Sequence, residues 1–446
     1  MFIDREYEMS ILKDIAGSDR AELVLLYGRR RVGKSSLLTR FVEEEGGVYF
    51  LADASRNILE ILSSQVDGEF VNFTSWELFF DYILKSEHEI FVIDEFQYIY
   101  NTNRSWPTIL QRWWEKIRKT NKKIILCGSI ISTIDRIARG YGSALYGRKT
   151  REVVIEPLDI SSSFEMLRGW NDRDRLKAYA LVGGVPRYLE ELDTQKSLNW
   201  NLEHRILDKT SYLYNEPMNL LFEEFRDPAP YVSILLSIIN GMTRFSEISE
   251  YSHIESTRLS KYMTTLQRVK IIEKDIPITD RRERAKNTRY RLRDPFFRFW
   301  FGFVFPNKAF IEKGRIEQVM YSIRNEMDTY MGKSMEEICL ELISKGMGPD
   351  WKVGRWWKKE LKVDILAINK KERRALVGEV KWNFRRLTER AVSSLEEKVE
   401  QIDSIVGYEK ELILISKEVE NRDRLGNARV IDIMDLIPER TSILDG

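Results

Sequence analysis

Gly28 and Gly33 bracket four residues, and Lys34 and Ser35 follow at once, giving the spacing G-x-x-x-x-G-K-S. That pattern does one kind of chemistry well. Glycines at both ends permit the backbone angles that turn successive N–H groups toward an anion. A helix starting at the second glycine adds its positive end. Lys34 can reach the β- and γ-phosphates of a nucleotide, and the Ser35 hydroxyl can ligate Mg²⁺. Arg31 inside the loop and Ser36 after it complete the set expected to touch the nucleotide. A second chemical cluster ends the run Ile90-Phe91-Val92-Ile93 in two acids, Asp94 and Glu95. Asp94 is placed to hold the Mg²⁺ shell, and Glu95 to orient and activate an attacking water. The alternative, two solvated acids at a strand exit, leaves the phosphate loop without a partner.

Positioning these groups requires a sheet. Leu23–Leu26 has the length of a buried parallel strand, and Leu37, Leu38, Phe41 and Val42 trace the helix after the loop. Three more apolar runs, Val48–Ala52, Ile124–Cys127 and Val153–Ile155, alternate with helical patterns, so the class is α/β with a mainly parallel sheet. Ser129 follows the Ile124 run and falls at the carboxyl edge, where ligands bind. It could sense the γ-phosphate or the water; a plain turn serine is the alternative. Arg148 and Arg151 could supply transition-state charge, with surface ion pairing as the alternative.

Length and composition set the frame. A chain of 446 residues exceeds one hydrophobic core and predicts two or three domains. A hydrophobic share of 43% excludes wholesale disorder, and a net charge of +1 excludes a global basic field. Cys127 and Cys339 each sit in apolar segments and are expected as buried thiols of a reducing, cytoplasmic compartment. The most apolar stretch, Phe296 to Pro306, is too short to span a membrane and contains Arg298.

At this point the sequence resembles the archaeal branch of the P-loop ATPases related to AAA+ and signal-transduction (STAND) ATPases. The start FIDREYEMSIL looks like that family's N-terminal box, matching at Asp4, Arg5, Glu6 and Glu8; Asp4 stands where many members have glycine. GRRRVGKSSL, FVIDEFQYI, LCGSIIS and GSALYGRKTREVVIEPL continue it. The resemblance implies ATP and Mg²⁺ as cofactors, a sheet order 5-1-4-3-2, a helical lid, and Arg5 near the adenine. LVGGVPRYLEEL then resembles the lid signature, which places Gly184 and Pro186 beside the nucleotide. From the residues alone it is a helix stop and turn.

Further along, Tyr231 to Arg293 reads as a winged helix. Ile234, Leu235, Ile238 and Ile239 form one stripe, Arg244 to Ile248 opens a second helix, and Ser256–Val269 forms a third with Arg258, Lys261 and Gln267 facing out. Two strands, Ile271–Ile276 and Thr288–Leu292, go with a very basic loop segment carrying Arg281, Arg282, Arg284, Lys286 and Arg289. Such a helix suits a major groove and such a loop suits phosphates, which makes DNA the expected partner; a regulatory arm packed on the nucleotide domain is the alternative. Asp294–Phe301 is dense in aromatics, expected as core between segments, with base stacking as the alternative.

From about Tyr330 the pattern changes. A helix is predicted over Ser334–Ile343, then strands Val363–Ile368 and Ala375–Lys381 with a polar loop between them. Register arithmetic pairs Ile368 with Ala375 and so sets Asp364 opposite Glu379, with Lys381 on the same face. Like charges opposite each other destabilise a sheet, and a bound cation would remove the conflict. The D…E-x-K pattern of Asp364, Glu379 and Lys381 resembles the PD-(D/E)xK nucleases. In that resemblance Glu336 is the helix acid, with Glu337 less well matched, and Val363 stands where proline is usual.

The expected organisation is a P-loop ATPase core over 1–160, a helical lid over 161–228, a winged helix over 229–294, an aromatic segment over 295–329, and an α/β restriction-endonuclease-like domain over 330–446. The function expected first is Mg²⁺-dependent ATP hydrolysis acting on DNA, with a metal-dependent endonuclease domain. A STAND-like switch that binds a partner without cleaving and an ATP-controlled DNA-binding regulator are the alternatives. Self-association is left open.

Overall fold

The computed structural model describes residues 3–55, 57–66, 71–129, 134, 137, 145, 147–280, 287–382, 387–417 and 424–437. Arg281, Arg282, Arg284, Lys286, Arg385 and Arg386 lie outside the described residues. The chain forms two compact units, Met1–Leu158 with Val185–Arg187, and Asp159–Gly184 with Tyr188–Gly446.

The first unit is built on five parallel strands: β1 (Glu22–Gly28), β2 (Val48–Leu51), β3 (Ile90–Asp94), β4 (Lys123–Gly128) and β5 (Arg151–Ile155). They lie in the order β2-β3-β4-β1-β5, the order that the family resemblance implied. The central strands β1, β3 and β4 are buried along their whole length, which is why they read as unbroken apolar runs. Helices Glu6–Ala16 and Lys34–Glu45 cover β1 with Met9, Leu12, Leu37, Leu38 and Phe41. Being parallel, these strands bring their carboxyl ends to one edge of the sheet.

The second unit begins with helices, among them Asp172–Val182 and Tyr212–Glu224. Three helices, Ala229–Ile239, Phe245–Ser252 and Ser256–Arg268, lead into an antiparallel pair, β6 (Ile272–Asp275) and β7 (Arg289–Leu292). The third helix buries Leu259, Met263 and Leu266 and exposes Arg258, Lys261 and Arg268; Gln267 is only half-exposed. The aromatics after Asp294 are interior: Phe296, Phe297, Phe299, Trp300 and Phe301 are buried, and the Trp300 indole donates to the Tyr214 carbonyl at 2.7 Å. They form core and present no base-stacking platform.

One helix, Ile316–Gly346, runs through residue 330 without a break. The boundary expected there falls inside it. Its second half packs Met335, Ile338, Cys339 and Leu342 on one face of a six-stranded sheet, and helix Glu389–Glu400 covers the other face with Val392, Leu395 and Val399. The strands are β8 (Trp351–Lys358), β9 (Leu361–Asn369), β10 (Arg374–Lys381), β11 (Glu409–Ser416), β12 (Arg424–Leu425) and β13 (Ala428–Asp432), in the order β12-β13-β11-β10-β9-β8. Parallel pairs β10/β11 and β11/β13 sit among antiparallel neighbours. Ile368 faces Ala375, as the register arithmetic required. Both cysteines are buried and free. No described helix is long and apolar enough to cross a membrane.

Candidate functional site

The phosphate loop begins where β1 can come no closer to its neighbour. A Cβ on Gly28 would fall 2.2 Å from the Ile155 carbonyl oxygen of β5, so only glycine fits. Two residues of the loop, Arg31 (φ 69°) and Gly33 (φ 89°), adopt left-handed angles, which turns the backbone N–H groups between them. The space where a Gly33 Cβ would sit is open to 4 Å. Helix Lys34–Glu45 starts immediately after. The Lys34 ammonium is buried and donates to the Arg29 carbonyl at 2.9 Å, folded over its own loop. Ser35 and Ser36 face solvent in the first helical turn.

Asp94 is fully buried at the end of β3 and collects three donors. Ser35 Oγ and Tyr49 Oη each reach Oδ2 at 2.6 Å, and the Glu95 N–H reaches Oδ1 at 2.8 Å. Burial, reinforced by this carboxylate, pushes the Tyr49 hydroxyl above its ordinary range and keeps it a donor. Glu95 holds a left-handed backbone (φ 54°), uncommon for a residue with a side chain and frequent at functional sites. Its carboxylate accepts from Ser129 Oγ at 2.8 Å and from the Gln97 amide. The structure thus brings Gly28, Gly33, Lys34, Ser35, Asp94, Glu95 and Ser129 to one sheet edge. The loop's oxygen donors, turned amides and buried ammonium suit a magnesium–nucleotide complex.

Arg5 lies behind this loop. Its guanidinium donates to the Val32 carbonyl at 2.9 Å and the Glu156 carbonyl at 2.8 Å, tying the N-terminal box to the loop and to the segment after β5. Asp4 (φ 63°) and Arg5 (φ 84°) are both left-handed, which explains why glycine suits the position of Asp4. Gly184 lies between helices Asp172–Val182 and Pro186–Glu190, and Pro186 is the first residue of the second helix. Arg148 lies 3.8 Å from Glu115.

Sequence reasoning missed Tyr49 and Gln97. Gln97 had a signal, since it sits two residues beyond Glu95 in FVIDEFQYI. Tyr49 had none, because its contact depends on β2 lying beside β3.

In the second unit, the pairing of β9 with β10 runs to Ile365–Gly378 and then opens. Asp364 accepts from the Val380 N–H at 3.0 Å. Lys362 bridges Asp364, at 3.0 Å, and Glu336. Glu379 is gripped by Lys381, at 2.6 Å, and by Lys398 from the helix Glu389–Glu400. The like-charge conflict between Asp364 and Glu379 is therefore relieved by lysines, and the conflict alone does not call for a metal. No group of three or more His, Cys, Asp or Glu side chains among the described residues is gathered to ligate one. Burial, with the nearby Asp364 carboxylate, raises the Glu336 carboxyl above its usual range, and Lys362 opposes this. Glu337, one residue on, points elsewhere. Burial alone would raise it, but Arg298, Arg291 and Arg355 hold its carboxyl down to about 2.

A family of ATPase domains predominantly from Archaea matches residues 2–192, and a family of archaeal proteins of unknown function matches residues 300–395. An uncharacterised protein of Methanocaldococcus jannaschii is 31% identical over 450 residues, covering 98% of this chain and 100% of its own. An uncharacterised ATP-binding protein of the same organism is 42% identical over 45 residues, covering 10% of this chain and 76% of its own. A Walker-type ATPase of Pyrococcus abyssi superposes with a TM-score of 0.52 at 24% identity, covering 67% of this chain and 96% of its own, which shows a shared fold. With a relative matched end to end and the ATPase domain at its N-terminus, the chain belongs to the archaeal family of P-loop ATPases that carry a C-terminal domain of unknown function.

Proposed function

We propose that the chain hydrolyses ATP with Mg²⁺ and uses the energy to act on DNA. One observation carries the first half: Ser35 and Asp94 meet at 2.6 Å beside Glu95, itself held by Ser129 at 2.8 Å. That is a cation-holding pair next to a base. Bound magnesium–ATP supplies a γ-phosphoryl group whose charge is partly neutralised and open to attack by water. The loop N–H groups between Gly28 and Gly33 bind the phosphates, and Lys34 leaves the Arg29 carbonyl to join them. Asp94 orients Ser35. Glu95 accepts a hydrogen bond from the attacking water and takes its proton. Arg31, Ser36 and Arg5 steady the loop around the nucleotide, and Pro186 borders the adenine. Phosphate release tests this reading. Lys34→Ala should abolish turnover, and Glu95→Gln should slow it at least about 100-fold while ATP stays bound. Full turnover in either variant would overturn the assignment.

Two features support DNA as the target. Three helices followed by a β-hairpin are the layout of a winged helix, and the third helix exposes Arg258, Lys261 and Arg268. Lys358, Lys359, Lys370, Lys371, Arg373 and Arg390 are exposed around the C-terminal sheet. Binding of a labelled duplex should weaken with salt, and Arg258→Glu with Lys261→Glu should reduce it about tenfold or more. Equal binding by the double variant would remove this segment from the DNA site.

A second reading, a nuclease centre at Asp364, Glu379 and Lys381, is favoured by the register that brings these residues to one end of the sheet. All-oxygen carboxylate donors suit Mg²⁺ or Mn²⁺, with Glu336 as a further acid. Their present lysine partners would have to yield to the ion, so no catalytic step is drawn through it. Linear, branched and single-stranded DNA, incubated with Mg²⁺ or Mn²⁺ with and without ATP, distinguishes the outcomes. Cleavage lost in Asp364→Ala establishes a nuclease; no cleavage by an active ATPase leaves a binding domain, as in a signalling switch or a DNA-binding regulator.

A further inference from the structure

Gln97 is the first residue of the helix that follows β3 and its side chain is fully buried. A buried amide costs free energy unless its donors and acceptors are met, and an apolar residue would fill the same space without that cost. The surroundings show what the amide does there. Its Nε2 donates to the Glu95 carboxylate and lies 3.2 Å from Ser129 Oγ, while Ser129 Oγ donates to the same Glu95 oxygen, Oε2, at 2.8 Å. Two donors therefore converge on one oxygen of the residue read as the base.

The other end of the amide is accommodated by a missing side chain. A Cβ on Gly128, at the end of β4, would lie 2.7 Å from Gln97 Oε1. Gly128 has no left-handed backbone angle to account for it. The glycine of LCGS thus leaves room for the Gln97 amide, alongside Ile134 and Phe96, whose carbons a Cβ there would meet at 3.0 and 3.1 Å. Glu95 itself sits in a left-handed conformation that turns its side chain toward this fit.

We propose that Gln97 is a positioning residue of the hydrolytic site: wedged against Gly128 and paired with Ser129, its amide fixes Glu95 through Oε2 and leaves Oε1 to receive the attacking water's proton. This rests on the reading of Glu95 as the base. Gln97 touches neither nucleotide nor water; it acts through Glu95.

The test compares steady-state ATP hydrolysis across pH, and binding of a fluorescent ATP analogue, in wild type, Gln97→Leu, Gln97→Glu, Gly128→Ala and Glu95→Gln. Gln97→Leu fills the space without the amide and should lower kcat about 10- to 100-fold, with KM and analogue affinity within about twofold. Gln97→Glu replaces the donor amide by a second carboxylate beside Glu95 and should lower kcat in the same sense. Gly128→Ala should displace the amide and lower kcat in the same sense as Gln97→Leu. An unchanged kcat and pH profile in folded Gln97→Leu overturns the proposal, as does a loss confined to KM. Should Gln97→Leu fail to fold, an unchanged kcat in Gln97→Glu overturns it equally. Glu95→Gln separates the two readings. Full turnover in that variant sinks the base assignment and the proposal with it, whereas an inactive Glu95→Gln beside a fully active Gln97→Leu sinks the proposal alone.

Discussion

Replacing Glu337 by glutamine should destabilise the larger unit by about 3 kcal/mol at neutral pH, and the deficit should shrink in acid. Glu337 sits on the long helix where β7, the aromatic segment and β8 converge. Arg291 reaches it at 2.7 Å, Arg298 pairs with it and with Ser334, and Arg355 adds its field. The carboxyl titrates at about 2 in the folded chain against an ordinary 4.5. A folded value below the unfolded one means stability that is present above about pH 4.5 and lost as pH falls toward 2. The gap corresponds to about 3 kcal/mol, in line with the usual cost of breaking a buried ion pair. Glu337→Gln keeps the shape and removes this linkage. Urea unfolding followed by far-UV circular dichroism at pH 7, 5 and 3.5 measures it. By pH 3.5 the gap between wild type and variant should have narrowed by about 1 kcal/mol. Parallel curves at all three values would refute the reasoning and reduce Glu337 to one surface ion among many.

Tyr49→Phe removes one of three donors on Asp94 without leaving a cavity. The Mg²⁺ concentration for half-maximal ATP binding should rise about 3- to 10-fold, measured by titration calorimetry, while metal-free nucleotide binding stays unchanged. An unaltered Mg²⁺ requirement would show that Ser35 and the Glu95 N–H suffice to orient Asp94. Lys362→Met strands Glu336 and Asp364 together. Without the ammonium the Glu336 carboxyl, already raised by burial, should titrate higher still, so the variant should lose about 1–3 kcal/mol at pH 7 and recover it as pH falls toward 5. Millimolar MgCl₂ should restore its melting temperature if these acids accept a cation, and no response to Mg²⁺ beyond that of the wild type would count against the nuclease reading.

The parts of this fold that were legible in the sequence are those set by local rules. β1, β3 and β4 announce themselves because strands covered on both faces contain almost nothing but apolar residues. The β9–β10 register followed from the short polar loop that joins the two strands. What escaped was non-local. Tyr49 reaches Asp94 because β2 pairs with β3, across an intervening stretch of helices. Lys398 reaches Glu379 from the helix Glu389–Glu400, which covers a face of the sheet. Its absence from the reckoning made two facing carboxylates look like a demand for metal. The helix Ile316–Gly346 was read only from Ser334, because its apolar positions change partner along its length. Val319, Met320 and Ile323 are buried near its start, while the stretch from Met331 onward, with Met327 and Tyr330 packed beside it, joins the core of the six-stranded sheet. A stripe that drifts around the helix shows no single period.

That helix also has a mechanical meaning. Thirty-one residues without a break make a rod about 46 Å long. Its second half is packed on the six-stranded sheet, so the sheet and the helix's first half can turn relative to each other only by bending or breaking the helix. A fragment meant to carry the sheet by itself should start at Arg315. Severed at Tyr330, the rod would fray through Met331 and Met335, and the sheet would lose the shaft by which it can be turned.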